Sequence, residues 1–139
     1  MVDASVLNEP VKDLVETPYI KFWREGDILC GAYTDGLHID LPMAIQIVAD
    51  RINYSHHTDS YCYADIRGIR SVTKEARQHM ADEGSRYVIA GAMLVESLLS
   101  KTIGNIYLTV SRPPVPIRLF TDKAEAMKWL RQKQLEAGK

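Results

Sequence analysis

Cysteine is scarce. Cys30 and Cys62 are the only two in 139 residues, too few for a disulfide framework, and each sits in an apolar run where a thiol behaves as a small buried hydrophobe. An excess of one charge is also missing. Seventeen basic and eighteen acidic residues leave a formal net charge of −1, which removes any general pull toward nucleic acid or an anionic membrane. No window approaches the roughly 18 apolar residues that span a bilayer. The start, Met1-Val2-Asp3-Ala4-Ser5, lacks the basic and apolar segments of a secretory signal. Gly-x-Ser-x-Gly, P-loop and Gly-x-Gly-x-x-Gly patterns are all absent, so hydrolase, phosphate-cradling and dinucleotide chemistry each lack their mechanical part. These absences predict a cytoplasmic protein with no cofactor, no nucleic-acid partner and no membrane partner.

What is present is an ordinary globular composition, 46% hydrophobic and 25% charged, with length for one domain and a core that needs no staples. Residues 1–18 are an N-terminal extension or edge element, with strand, short helix and loose arm all open. Residues 19–135 carry a single α/β domain. Tyr19–Arg24 and Ile28–Tyr33 flank a Glu25-Gly26-Asp27 turn and predict an antiparallel hairpin. A second turn at Asp35-Gly36 leads into the extended Leu37–Ile39. Asp40 is an N-cap with Pro42 just behind it, and Leu41, Ile45, Val48 and Ile52 mark the inner face of a helix. Tyr61–Ile66 predicts a strand covered on both faces. Thr73 caps a helix over Lys74–Glu83 that Gly84 closes in the left-handed region. Tyr87–Ala92 predicts another strand, and Met93–Ile103 a helix with Leu94, Leu98 and Leu99 inward, stopped by Gly104-Asn105. Gly104–Val110 predicts a strand, Arg112–Pro116 a stiff bridge, and Ile117–Asp122 a short strand. An Asp122/Glu125 capping box opens a last helix that buries Met127, Trp129 and Leu130. The order β-β-α-β-α-β-α-β-β-α implies a mixed, mainly parallel sheet with an N-terminal antiparallel hairpin and about four helices.

The strand ending in Asp65, the helix opened by Thr73 and the closing Phe120-x-Asp122-x-x-x-Ala126-x-x-Trp129-Leu130 resemble the SpoIIAA-like (STAS) domains, the fold of anti-sigma-factor antagonists. Asp65-x-Arg67, Glu75-Ala76-Arg77, Gly104-Asn105 and Pro113-Pro114-x-Pro116 are similar to an uncharacterised bacterial branch of that fold. The resemblance spans roughly Tyr19 to Leu130. It implies a regulatory domain that binds a protein partner without catalysis, switched by phosphorylation at the N-terminus of the helix after the central strand. The usual Asp-Ser-Ser/Thr-Gly motif is missing. Asp65–Thr73 is instead a longer basic loop with Ser71 and Thr73 near the corresponding place, where a phosphate would meet free N–H groups, Arg67 and Arg70. Capping alone also accounts for Thr73.

Other constellations have two readings each. Asp65 and Arg67 alternate onto one face at the C-terminal end of a central strand, where open α/β sheets place ligands. With Arg77 and Asn105 they form either a pocket for an anionic small molecule or minor enzyme chemistry, or a structural ion-pair network. His56, His57, Asp59 and Cys62 have the composition of a metal site, but adjacent histidines diverge and zinc needs four tetrahedral ligands, so a solvated turn is the better reading. Neither cysteine has a feature that would lower its pKa. Glu25 and Asp27 are turn residues. Exposure of Phe22, Trp23, Tyr61 or Tyr63 would provide a surface for a protein partner or for a homodimer through the N-terminal region.

Overall fold

The computed structural model describes residues 11–138. Eight strands and four α-helices are present among these residues: β1 (Val11–Glu16), β2 (Ile20–Glu25), β3 (Ile28–Tyr33), β4 (Leu37–Ile39), α1 (Leu41–Tyr54), β5 (Ser60–Asp65), β6 (Ile69–Val72), α2 (Lys74–Asp82), β7 (Val88–Leu94), α3 (Leu98–Ile106), β8 (Ile117–Phe120) and α4 (Lys123–Ala137). The main sheet has the order β1-β2-β3-β5-β7-β8. Its first three strands are antiparallel and the rest run parallel. β5 therefore lies in the interior of the sheet with β3 and β7 as neighbours, as the continuous apolar run from Tyr61 predicts.

Alternation along the strands divides the core in two. On one face Phe22, Leu29, Ile39, Ile66 and Val95 cluster with Ala44 and Ile47 of α1, Ala76 of α2 and Ile103 of α3. On the other, Trp23, Ile28, Cys30, Tyr63, Ala92 and Leu94 bury beneath Ala126, Met127 and Leu130 of α4. The result is a three-layer α/β/α domain. Side chains removed from water as completely as Phe22, Ile28 and Leu130 each stabilise the fold by roughly 1.5–3 kcal/mol.

Local chemistry sets most boundaries as expected. Asp40 accepts from the Met43 backbone N–H at 3.0 Å, Thr73 from Ala76 at 3.2 Å and Asp122 from Ala124 at 3.0 Å. Residues 11–16 of the N-terminal segment form an edge strand, exposed along its length. It is kinked by a bulge at Asp13, whose carbonyl accepts from the Tyr54 hydroxyl at 2.7 Å. The expectations for residues 1–10 lie outside the described residues.

Several expectations are overturned. Gly104–Val110 is helix: α3 runs through Gly104 and Asn105 to Ile106 and continues as a π-helical turn over Tyr107–Ser111. Gly104 is packed rather than terminal. A Cβ there would stand 2.9 Å from Leu119 Cδ2, so glycine lets α3 lie close to β8. The preceding strand extends to Leu94, which buries beneath α4, and α3 starts only at Leu98, capped by Ser97. Leu98 and Leu99 point to solvent, not inward. The inner face of α1 is Ala44, Ile47 and Val48, while Ile45 is exposed. Gly84 lies in a 3₁₀ turn, and the left-handed residue is Tyr87, with φ 64°. Phe22, Trp23 and Tyr63 are buried, so the hairpin presents no aromatic surface there. The Asp65–Thr73 segment contains β6, which pairs parallel with β4 in a second, two-stranded sheet.

Candidate functional site

Asp65 ends β5 at the C-terminal rim of the parallel strands, and three hydrogen bonds hold the residue two positions on against it. Arg67 Nε donates to Oδ1 at 3.0 Å, Nη2 to Oδ2 at 2.8 Å, and the Arg67 backbone N–H to Oδ1 at 3.1 Å. This two-pronged arrangement is the strong form of a carboxylate–guanidinium pair. Burial pushes the Asp65 carboxyl up, but the Arg67 hydrogen bonds outweigh it and hold the group below the usual aspartate range. Arg67 Nη1 also donates to Glu96 Oε2 at 3.2 Å. The guanidinium thus ties the loop after β5 to the segment leading into α3.

Beside this pair lies a groove of about 430 Å³ bounded by Trp23, Tyr63, Leu94, Lys21 and Lys123. Lys123 Nζ donates to Glu25 Oε2 at 2.7 Å, as does Trp23 Nε1 at 2.7 Å. Glu25 is therefore a buried anchor between β2 and α4 rather than a turn residue. Asp65, Glu25, Glu96 and Asp122 offset Lys21, Arg67 and Lys123, so the rim carries no net positive field.

The other residues singled out by the sequence are distributed elsewhere. Arg70 stands on β6 with Asp35 4.0 Å away, both largely exposed. The Ser71 hydroxyl is paired with His38 Nδ1 at 2.7 Å across the two-stranded sheet, and the Thr73 hydroxyl is occupied in capping α2. Arg77 is on the opposite face of the main sheet from Asp65 and donates from Nε to the Ser111 hydroxyl at 2.9 Å. Asn105 is exposed on α3, its carbonyl accepting from Thr109. The structure brings Asp65 and Arg67 together and leaves Arg77 and Asn105 apart from them.

Burial disfavours the thiolate form of both cysteines. Burial, reinforced by the Glu25 carboxylate, pushes Cys30 far above its ordinary value, and burial pushes Cys62 up to about 11. Among the described residues no group of three or more His, Cys, Asp or Glu side chains is placed to hold a metal ion. His56 and His57 are consecutive left-handed residues in a turn, with the His57 ring on the edge of Tyr87.

Sequence reasoning missed the feature that adjoins Glu96. The outer face of α3 and its π-helical extension carries Leu98, Leu99, Ile106 and Val110, with Leu98 82% and Val110 61% exposed. The inner face is apolar too, through Ile103, Gly104 and their contacts with Leu119. Lys101, Thr102, Asn105 and Thr109 share the solvent side, so the exposed apolar residues are one flank of an amphipathic helix. The signal was the spacing of Leu99, Ile106 and Val110, seven and four residues apart and so on one side of a helix; assigning a strand to the last two concealed it.

The mixed six-stranded sheet, with three helices on one face and one on the other, is a SpoIIAA-like fold. The structure is similar to that of an uncharacterised protein from the DUF3478 family with a SpoIIAA-like fold from Shewanella loihica PV-4, at a TM-score of 0.59 and 12% identity, covering 85% of this chain and 99% of that one. No curated protein matches the chain. Residues 22–134 match the model of a domain of unknown function, DUF7793, and the chain belongs to that family. No helix among the described residues is long and apolar enough to cross a membrane.

Proposed function

We propose that the domain is a non-enzymatic binding module that docks a protein partner on the outer face of α3, with Arg67 and Glu96 as its polar rim. The observation that carries this reading is the exposed apolar flank of α3: Leu98 and Val110 stand in water although the opposite side of the same helix already packs on the core. Exposed apolar side chains grouped on one element and edged by charge mark interaction surfaces. The loop after β5 belongs to the same surface through the Arg67–Glu96 contact. The fold likeness to SpoIIAA-like domains agrees with a binding role, and the raised thiols agree with the absence of nucleophilic chemistry.

The test is capture from the protein's own cells with the wild type and with Leu98→Glu/Val110→Glu, after circular dichroism establishes that both fold alike. A partner held by the wild type and released by the double variant is expected. A partner retained equally by both overturns the assignment. A wild-type dimer in light scattering that the substitutions convert to monomer overturns it in favour of a second copy of the chain.

A further inference from the structure

Strand register places one row of side chains across the α4 face of the main sheet, at its open rim. Lys21 of β2 stands opposite Ala32 of β3, and Ala32 opposite Asp65 of β5. A cation and an anion thus flank a single methyl group, with about 10 Å between their backbones. One row further in, Trp23 and Tyr63 flank Cys30 in the same way. α4 starts over this second row, with Lys123 Nζ 5.8 Å from the centroid of Trp23 and 5.6 Å from that of Tyr63. The groove of about 430 Å³ is therefore a trough over Ala32, closed at the back by Trp23, Tyr63 and Lys123. Small-molecule sites occupy roughly 300–1,000 Å³.

Polar groups around the trough keep bonding capacity that the chain leaves unused. Tyr63 is 3% exposed, yet its hydroxyl has no hydrogen-bond partner among the described residues. That hydroxyl is not sealed from solvent, so it opens on the groove that its ring lines. The exposed Lys21 ammonium also has no partner among the described residues. Asp65 accepts three bonds, all from Arg67, of the roughly four that a carboxylate can take. Its Oδ2 holds only one of them and keeps an open position.

We propose that the trough binds an aliphatic α-amino acid as its zwitterion, with the ammonium on Asp65, the carboxylate on Lys21 and the Tyr63 hydroxyl, and the side chain against Trp23 and Leu94. The order of charge selects this class. A lone anion would meet Lys21 and Lys123 but lie beside Asp65 and Asp122, and a lone cation would meet the reverse conflict. A neutral apolar molecule would cover Lys21 and the Tyr63 hydroxyl without bonding to either. A zwitterion answers both ends, and its two charged groups, carried on one carbon, suit a trough one residue wide.

Free leucine is the probe, titrated into isotope-labelled protein and followed by NMR. Saturable shifts are expected at Ala32, Tyr63 and Asp65. Isocaproate, which lacks the ammonium, and isoamylamine, which lacks the carboxylate, should each bind about tenfold more weakly or worse. Lys21→Met shrinks the advantage of leucine over the amine, and Ala32→Leu fills the trough and abolishes binding. Should Ala32→Leu fail to fold, Lys21→Met, a change at an exposed position, and the ratios among the ligands decide. No saturable shift, shifts centred on the helical side of the sheet instead, or equal affinity for leucine and isocaproate would each overturn the proposal. Leu98→Glu/Val110→Glu should bind leucine as the wild type does, so the outcome is independent of the α3 face.

Discussion

Glu25 is 4% exposed, and its Oε2 receives both the indole of Trp23 and the ammonium of Lys123. In sequence it is one more charged residue next to a turn glycine. Its partner on α4 comes 98 positions later, and no local pattern encodes such a pairing. Glu25→Ala leaves a buried indole N–H and a half-exposed ammonium without their acceptor. The expected cost is about 2–3 kcal/mol, read from urea unfolding at neutral pH. Asp65 behaves differently because its partner is local and exposed. Its carboxyl titrates lower in the folded chain than in the unfolded one. The stabilisation it contributes is thus present above the ordinary aspartate value of 3.8 and lost as the pH falls through the lower folded value. Asp65→Asn should flatten the decline of Tm on acidification below about pH 4 and leave its profile from neutral to alkaline pH unchanged. The amplitude should stay under about 1 kcal/mol, since solvent screens the pair. Of the candidate site residues, Asp65 and Arg67 were legible because alternation places i and i+2 on one side of a strand end. Glu96 was not, since a contact between distant loops leaves no periodic trace.

Elements with strong local signals matched expectation: the β2–β3 hairpin around Gly26, the α1 cap at Asp40 and the α4 cap at Asp122. Those decided by packing did not. Ile106-Tyr107-Leu108-Thr109-Val110 is rich in β-branched and aromatic residues and reads as strand. Tertiary bonds override that preference: the Tyr107 hydroxyl reaches the Met80 carbonyl at 3.1 Å, and Ser111 receives Arg77. The β4–β6 pair escaped because each segment is short and its partner lies across α1 and β5 in sequence. Gly68 shows how closely this second sheet is fitted to the first. A Cβ there would sit 2.7 Å from the carbonyl oxygens of both Tyr33 and Thr34, neither of which can yield without moving backbone. Gly68→Ala is expected to lose about 2 kcal/mol or more. Gly36, at φ +80° with open space around it, should lose only about 1 kcal/mol on the same substitution. Denaturation midpoints of the two variants, compared at equal m-value, give the check.

Across the whole molecule the fold class followed from the alternation of strands and helices, which carries over even where a boundary is wrong by several residues. The layering explains why surface and core leucines should respond so differently. Leu98→Glu changes a side chain that touches mainly water and should shift unfolding by no more than about 0.5 kcal/mol. Leu130→Ala opens space between α4 and the sheet and should cost about 3 kcal/mol. Thermal and urea unfolding of both variants would test this, and a large loss for Leu98→Glu would mean that α3 relies on its outer side for folding. The last helix has a further role in the order of assembly. Lys123 fastens α4 to Glu25, and Arg131 and Gln134 fasten it to Asp27 at 2.6 Å and 3.1 Å, across 104 and 107 positions of chain. Both acids sit beside the β2–β3 hairpin, while every one of these counterparts lies on α4, 98, 104 and 107 positions further on. The nascent hairpin must therefore wait, its anionic tip still hydrated, until α4 has emerged, and the α4 layer closes only after the intervening strands and helices have been made.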